Sequence, residues 1–226
     1  MKRTLRTVVL PPALRITSTG RTVLGDMSSG LEYVFRLPRL RLLVLSYGVV
    51  IMAGFPYVAV LPGLLENELG RDSEGTALTI IYTATAAGGL VASLWVASLA
   101  DGPRASFLYG AGAAVFGLSV VATGLAPNFA VATLAMFAVG VGSGAFQTLN
   151  GALVAQACAP EYFGRVLSLT FLAFAAFGIV AVPVGIAADQ WGERPVLIAQ
   201  GIIVCAAMAI FALMATRLPQ PEPIVA

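Results

Sequence analysis

Residues Phe129–Ala157 read FAVATLAMFAVGVGSGAFQTLNGALVAQA, with no Asp, Glu, Lys, Arg or His along the whole stretch. The hydrocarbon core of a bilayer is about 30 Å thick, and a helix rising about 1.5 Å per residue crosses it in about 20 residues. This stretch is longer than that, so its C-terminal turn is expected to project past the hydrocarbon. Strands of a membrane barrel alternate apolar with polar residues, whereas these apolar residues run on without alternation. The segment reads as a membrane-spanning helix. On either side of it the same pattern recurs at Leu42–Leu65, Thr76–Leu99, Ala105–Ala126, Val166–Ala188 and Pro195–Thr216. The expected fold is all-α, a polytopic membrane bundle of six transmembrane helices.

Composition agrees. The chain is 58% hydrophobic and 11% charged, whereas soluble domains are about 45–50% apolar and about 25% charged. Lipid is therefore the expected surrounding partner. Charge is unevenly placed: Lys2, Arg3, Arg6, Arg15, Arg21, Arg36, Arg39 and Arg41 all precede the first span. No aromatic residue interleaves with them before Tyr33, so they read as a basic cytosolic flank and not as a nucleic-acid-binding tail. With the N-terminus inside, Arg104, Arg165 and Arg217 also fall inside, and Arg71 and Arg194 fall outside among the acidic residues Glu66, Glu68, Asp72 and Glu74. Both termini are thus expected in the cytosol of a multi-pass protein of the cell membrane.

Three segments follow: a basic cytosolic segment over 1–41, the six-helix bundle over 42–217, and a short cytosolic tail over 218–226. Residues 1–25 contain Arg, Ser and Thr without an acid and read as a partly disordered extension, with a transit peptide as the weaker alternative. Ser29 and Glu32 fit a capping box opening a short amphipathic surface helix that Pro38 ends.

Several chemistries are disfavoured. The chain has no histidine, and its six spans hold no ionisable acid or base. A Ser–His protease, a buried aspartate pair and an imidazole zinc site all lack their residues. Cys158 and Cys205 have no metal-type or disulfide-framework spacing. No enzyme, cofactor or metal is expected.

Backbone breakers stand out instead. The first span carries Gly48, Gly54, Pro56 and Pro62, and the fifth carries Gly178, Pro183 and Gly185. Proline removes a helical hydrogen bond, so Gly54, Pro56, Pro62 and Pro183 are hinge candidates. In the fourth span Gly140, Gly144, Gln147 and Gly151 follow steps of four, three and four. Gly140 and Gly144 form a small-xxx-small pair that admits another backbone, and are counted as hinge candidates too. Gln147 and Asn150 read equally well as substrate contacts in an aqueous cavity or as bonds to a neighbouring helix, worth about 0.6 kcal/mol each. Tyr47 and Tyr57 are weaker cavity candidates.

A faint repeat pairs the triplets of spans: VASLAD ends the second span at Asp101, and VGIAAD ends the fifth at Asp189. Because each triplet is odd, the second copy enters from the opposite side, giving an inverted 3+3 arrangement used by transporters.

Three segments, LGDMSSGLEYVFRLPRLR, FPYVAVLP and APEYFGRVLSL, resemble the C-terminal half of a major facilitator superfamily transporter, in its drug- and siderophore-exporter-like branch, the transmembrane secretion effectors. In ASLADGPRAS, Leu99, Ala100 and Asp101 match the superfamily's loop signature, while Ala97, Gly102 and Arg104 depart from it. GIAADQWGER keeps Gly185, Asp189, Gly192 and Arg194 at the signature spacing. The resemblance implies that spans one and four line a central cavity, that spans two and five flank it, and that a cytosolic latch draws on Asp101, Arg104, Glu161 and Arg165. It implies twelve helices in a complete transporter, hence a partner for these six: an N-terminal six-helix half or a second copy of this chain. The function expected is secondary active export of small amphipathic molecules. A non-transporting structural or regulatory remnant is the alternative. Without a partner, Gly140, Gly144, Gln147, Asn150 and the first span are expected to open onto lipid.

Overall fold

The computed structural model describes residues 23–71 and 75–217, with side chains from residue 28 onward. The expected extension up to residue 22, Asp72 and Glu74 of the acidic loop, and the tail over 218–226 lie outside the described residues.

Eight α-helices and one π-helical turn carry the described chain: α1 (Val23–Arg36), α2 (Pro38–Gly54), α3 (Tyr57–Gly63), the π turn (Leu64–Glu68), α4 (Thr76–Ala97), α5 (Ala105–Gly124), α6 (Phe129–Ala157), α7 (Pro160–Trp191) and α8 (Glu193–Thr216). No strand occurs among the described residues. Six stretches are long and apolar enough to cross a membrane: Pro38–Glu68, which joins α2, α3 and the π turn, and each of α4 to α8.

Boundaries shift from the sequence reading for identifiable reasons. α1 begins at Val23, so Ser29 lies inside it and is not its cap. Pro38 opens the first span as well as ending α1. Leu37 is extended (φ −106°, ψ 103°) because the following pyrrolidine ring disfavours the helical region, and Pro38 then occupies the first turn, where its missing N–H is harmless. α7 begins with Pro160 in its first turn and runs through Pro183 as one helix of 32 residues, so that proline does not interrupt it. Gly192, at φ +89°, then lets α8 start at once at Glu193. This corrects the expectation of spans free of acids: the buried Glu193 is the first residue of α8.

α6 lies against both α4 and α5; α2 in turn receives α7 and α8, α5 meets α8, and α2 meets α6. Exchanging spans one with four, two with five and three with six maps these contacts onto one another, as an inverted 3+3 repeat requires; α7 further meets α8 and α6, for which α4 has no contact of like extent.

Lipid supplies no hydrophobic force between helices, so close packing must hold them. Glycines provide it. A Cβ on Gly140 would overlap the Thr85 carbonyl, and one on Gly144 would fall 2.6 Å from the Gly89 carbonyl oxygen. From the other side Gly88 abuts the Phe137 carbonyl. Gly142 meets the Phe116 backbone, and a Cβ on Gly112 would stand 3.0 Å from the Phe146 nitrogen. Gly117 and Gly201 form the corresponding contact between α5 and α8. Gly140 and Gly144 therefore do not open onto a partner face; their small-residue pair is used up by α4.

Candidate functional site

The first span is broken where its sequence concentrates breakers. α2 stops at Gly54, Phe55 and Pro56 form a turn, and α3 follows. Pro56 has no N–H for the Met52 carbonyl, four residues back. The chain crosses the turn on short-range bonds, Val58 N–H to Phe55 O at 3.2 Å and Ala59 N–H to Pro56 O at 3.0 Å. Gln200 of α8 donates from Nε2 to the Ala53 carbonyl at 3.2 Å, satisfying backbone beside the break. Gly54 is pressed against α5 and α8: a Cβ there would sit 2.5 Å from Phe116 Cε1 and 2.9 Å from Val204 Cγ2. Pro62 lies inside α3, directly ahead of the π turn.

Around the break the aromatic rings gather. Phe55 contacts Phe116 of α5 at 5.3 Å between centroids, and Phe174 and Phe177 of α7 at 5.4 and 6.4 Å. Tyr57 is buried edge-on to Phe116. Tyr47 is buried with its ring stacked on Phe146 at 5.5 Å, and Tyr109 stacks on Phe146 at 4.8 Å. The Tyr109 hydroxyl shares a 2.7 Å hydrogen bond with Ser46 inside the bundle. Both tyrosine candidates are thus part of the packing around Phe116 and Phe146.

Of the polar stripe on α6, Gln147 and Gly151 are half-buried and a Cβ on Gly151 would meet open space. Asn150 is buried, against the expectation that it open onto lipid, and its Oδ1 has no hydrogen-bond partner among the described residues. A buried amide oxygen without a donor costs about 1–3 kcal/mol.

At the end of the bundle where α4 stops and α5 starts, Asp101 accepts from Gln156 Nε2 at 3.3 Å, and the same amide donates to the Ala100 carbonyl at 3.0 Å. Arg165 lies elsewhere, over the Tyr162 ring at 5.4 Å and beside Gly30 of α1. In this structure the partner of Asp101 is Gln156, reaching from the last turn of the over-long α6. Arg104 precedes α5 and is exposed, and Glu161 sits in the first turn of α7, where a negative charge suits the helix dipole. α1 is fastened here too: Tyr33 stacks on Tyr162 at 4.1 Å, and its hydroxyl accepts from the Ala159 N–H at 3.0 Å.

The spans differ greatly in enclosure. Of the most apolar window of α6, 56% is buried inside the bundle; of that of α7, 6%. Ile179, Val182, Ile186 and Trp191 of α7 are exposed, and Cβ atoms added to Gly178 and Gly185 would meet nothing.

The sequence profile described as Major Facilitator Superfamily matches residues 43–225, most of the chain and all but the start of the bundle. The chain belongs to the Major Facilitator Superfamily. It is a multi-pass membrane protein of a transporter family, and the six spans are a half-bundle of that superfamily's kind. No solved structure matches it. Sequence reasoning missed Gln156, Gln200, Tyr33 and the Ser46–Tyr109 pair in this superfamily member. Each is an ordinary polar residue whose partner lies 55 positions or more away in the chain.

Proposed function

We propose that this bundle is the C-terminal half of a secondary active exporter of small amphipathic molecules, working by alternating access against a second six-helix bundle. The observation that carries the reading is the bare face of α7 beside an α6 enclosed by its neighbours. Gly178 and Gly185, which meet nothing inside the bundle, leave room on that face for another helix to approach closely. Alternating access needs two bundles with a site between them, and a face presented by α7, with the half-buried Gln147 of α6, supplies one wall. The apolar side chains of α7 and the Gln147 amide suit an amphipathic substrate. The cell membrane is the proposed location, with the Asp101 end facing the cytosol in keeping with the basic residues Arg36, Arg39, Arg41, Arg104 and Arg165. The partner proposed is a separate N-terminal half, with a second copy of the chain as the other arrangement. Asp101, Arg104, Glu161 and Arg165 remain candidates for closing the cytosolic side, with Gln156 added to them.

The test is reconstitution in vesicles of the purified chain alone, with measurement of its mass in mild detergent and of the efflux of a fluorescent amphipathic cation. The expected result is no efflux from a six-helix monomer, and efflux when a second bundle is supplied. Transport by a monomer overturns the half-transporter reading.

A further inference from the structure

Beyond its tie to the Ala53 carbonyl, α8 grips the first span a second time, on the far side of the break. Glu193 is buried, and its Oε1 accepts from Asn67 Nδ2 at 2.6 Å. Gly63 makes the approach possible, since a Cβ there would fall 2.6 Å from the same oxygen. Arg194 donates from Nε to Glu68 Oε2 at 2.7 Å, and turns its other arm to the end of α5, bonding Gly124 O at 3.1 Å and Ala126 O at 2.8 Å. Those two carbonyls lie where α5 runs out of intrahelical donors. Glu193 and Gln200 are seven residues apart, about two helical turns, and so share one face of α8, with Leu197 and Val204 buried along it.

We propose that α8 is the splint of the broken first span: Gln200 positions the pivot at Ala53, and Glu193 with Arg194 is the releasable grip on the half-helix Tyr57–Glu68. The two contacts differ in a way that fits these tasks. Gln200 bonds a backbone oxygen beside the break, which moves little when the far half swings. Asn67 and Glu68 stand at the far end, where a rotation about Phe55–Pro56 is largest. The grip on Glu68 is a half-exposed ion pair, a type of contact that exchanges readily with water, while Arg194 stays anchored by the α5 carbonyls whether or not Glu68 is held. Use of this motion in transport rests on the alternating-access reading; the splint itself does not.

Amide hydrogen exchange on the full chain in lipid nanodiscs tests the mechanical part alone. In Arg194→Gln, and separately in Glu68→Gln, exchange over residues 57–68 is expected to rise on the order of tenfold or more, with residues 140–146 of the α4–α6 contact unchanged. Gln200→Leu is expected to raise exchange at residues 57–59 and to leave 64–68 protected. Unchanged exchange over 57–68 in both grip variants overturns the proposal, as does an equal rise at 140–146, which would mark general loosening. If Arg194→Gln does not accumulate, Glu68→Gln decides, because it leaves the α5 carbonyls bonded to Arg194. Selective release in a chain that does not transport even with a second bundle supplied supports the splint and counts against the transport reading.

Discussion

The inverted repeat gives the molecule two regions with the same connections and different packing. On one side α4 and α5 close on α6; on the other, α7 and α8 close on the broken first span. The first region is laced by glycines in backbone contact, Gly88, Gly89, Gly140 and Gly144 between α4 and α6, and Gly112 and Gly142 between α5 and α6. The second holds α7 mainly by aromatic rings around Phe55, and the α7 glycines touch nothing. The topology is alike in the two regions; the side-chain volume at the crossing differs. Where glycine lets two backbones meet, dispersion and carbonyl contacts add up over a whole seam. Where Phe174 and Phe177 stand between helices, the contact runs through the rings.

The largest effect expected from this contrast is at Gly140. Gly140→Leu places a side chain in the Thr85 carbonyl, and neither backbone can yield without parting the helices. A loss of about 3 kcal/mol or more is expected, seen as collapse of membrane abundance and thermal stability in detergent. Gly178→Leu on α7 adds the same volume into open space and is expected to change neither. Equal effects at the two positions would erase the distinction between the regions.

A middle-sized effect is expected at the Ser46–Tyr109 pair, which joins the two regions. Ser46→Ala leaves the buried Tyr109 hydroxyl without its partner and is expected to cost about 1–3 kcal/mol. Tyr109→Phe is expected to cost less, because Ser46 still donates to the Leu43 carbonyl at 3.1 Å. The double variant is expected to recover part of the Ser46→Ala loss. Thermal unfolding of the four proteins in one detergent checks this. Purely additive losses would show that the 2.7 Å contact does not couple α2 to α5.

The smallest effect is expected at the exposed end. Asp101→Asn keeps an acceptor for Gln156 at an exposed site, so stability is expected to shift by no more than about 0.5 kcal/mol. Gln156→Ala is expected to mimic it. If either abolishes efflux in a paired transporter while abundance holds, the contact acts on the conformational equilibrium and not on the fold.

Much of this was legible in the sequence, because the bilayer imposes a simple rule. Uncharged runs of sufficient length mark the spans, and FPYVAVLP marks the break, since proline's missing N–H acts locally wherever the residue sits. The superfamily likeness was legible for the same reason, resting on turns and helix ends. What escaped was pairwise. GVGSG announces that a backbone can come close, yet only the fold says that α4 fills that space. Arg194 reads as a flanking charge until Glu68 and the α5 carbonyls stand beside it. Gln200 reads as an isolated polar residue in an apolar helix until Ala53 is placed next to it. Glu193 was missed for a plainer reason: its helix was expected to start at Pro195, and Gly192 moves the start into the charged turn.

The central claim, that the bare face of α7 is one wall of a transport path, is tested most directly by thiol labelling in native membranes. In a Cys158→Ser, Cys205→Ser background, single cysteines at Gly178, Val182 and Gly185 on α7, and at the exposed Leu118 on α5 as control, are treated with a water-soluble maleimide. Maleimides need water to react, so a wall of an aqueous path labels and a lipid-facing surface does not. The account predicts labelling at the α7 positions, slowed by an amphipathic cation, and none at Leu118. Absence of labelling along α7, with the chain present in the membrane, would make that face an ordinary lipid contact and contradict the claim.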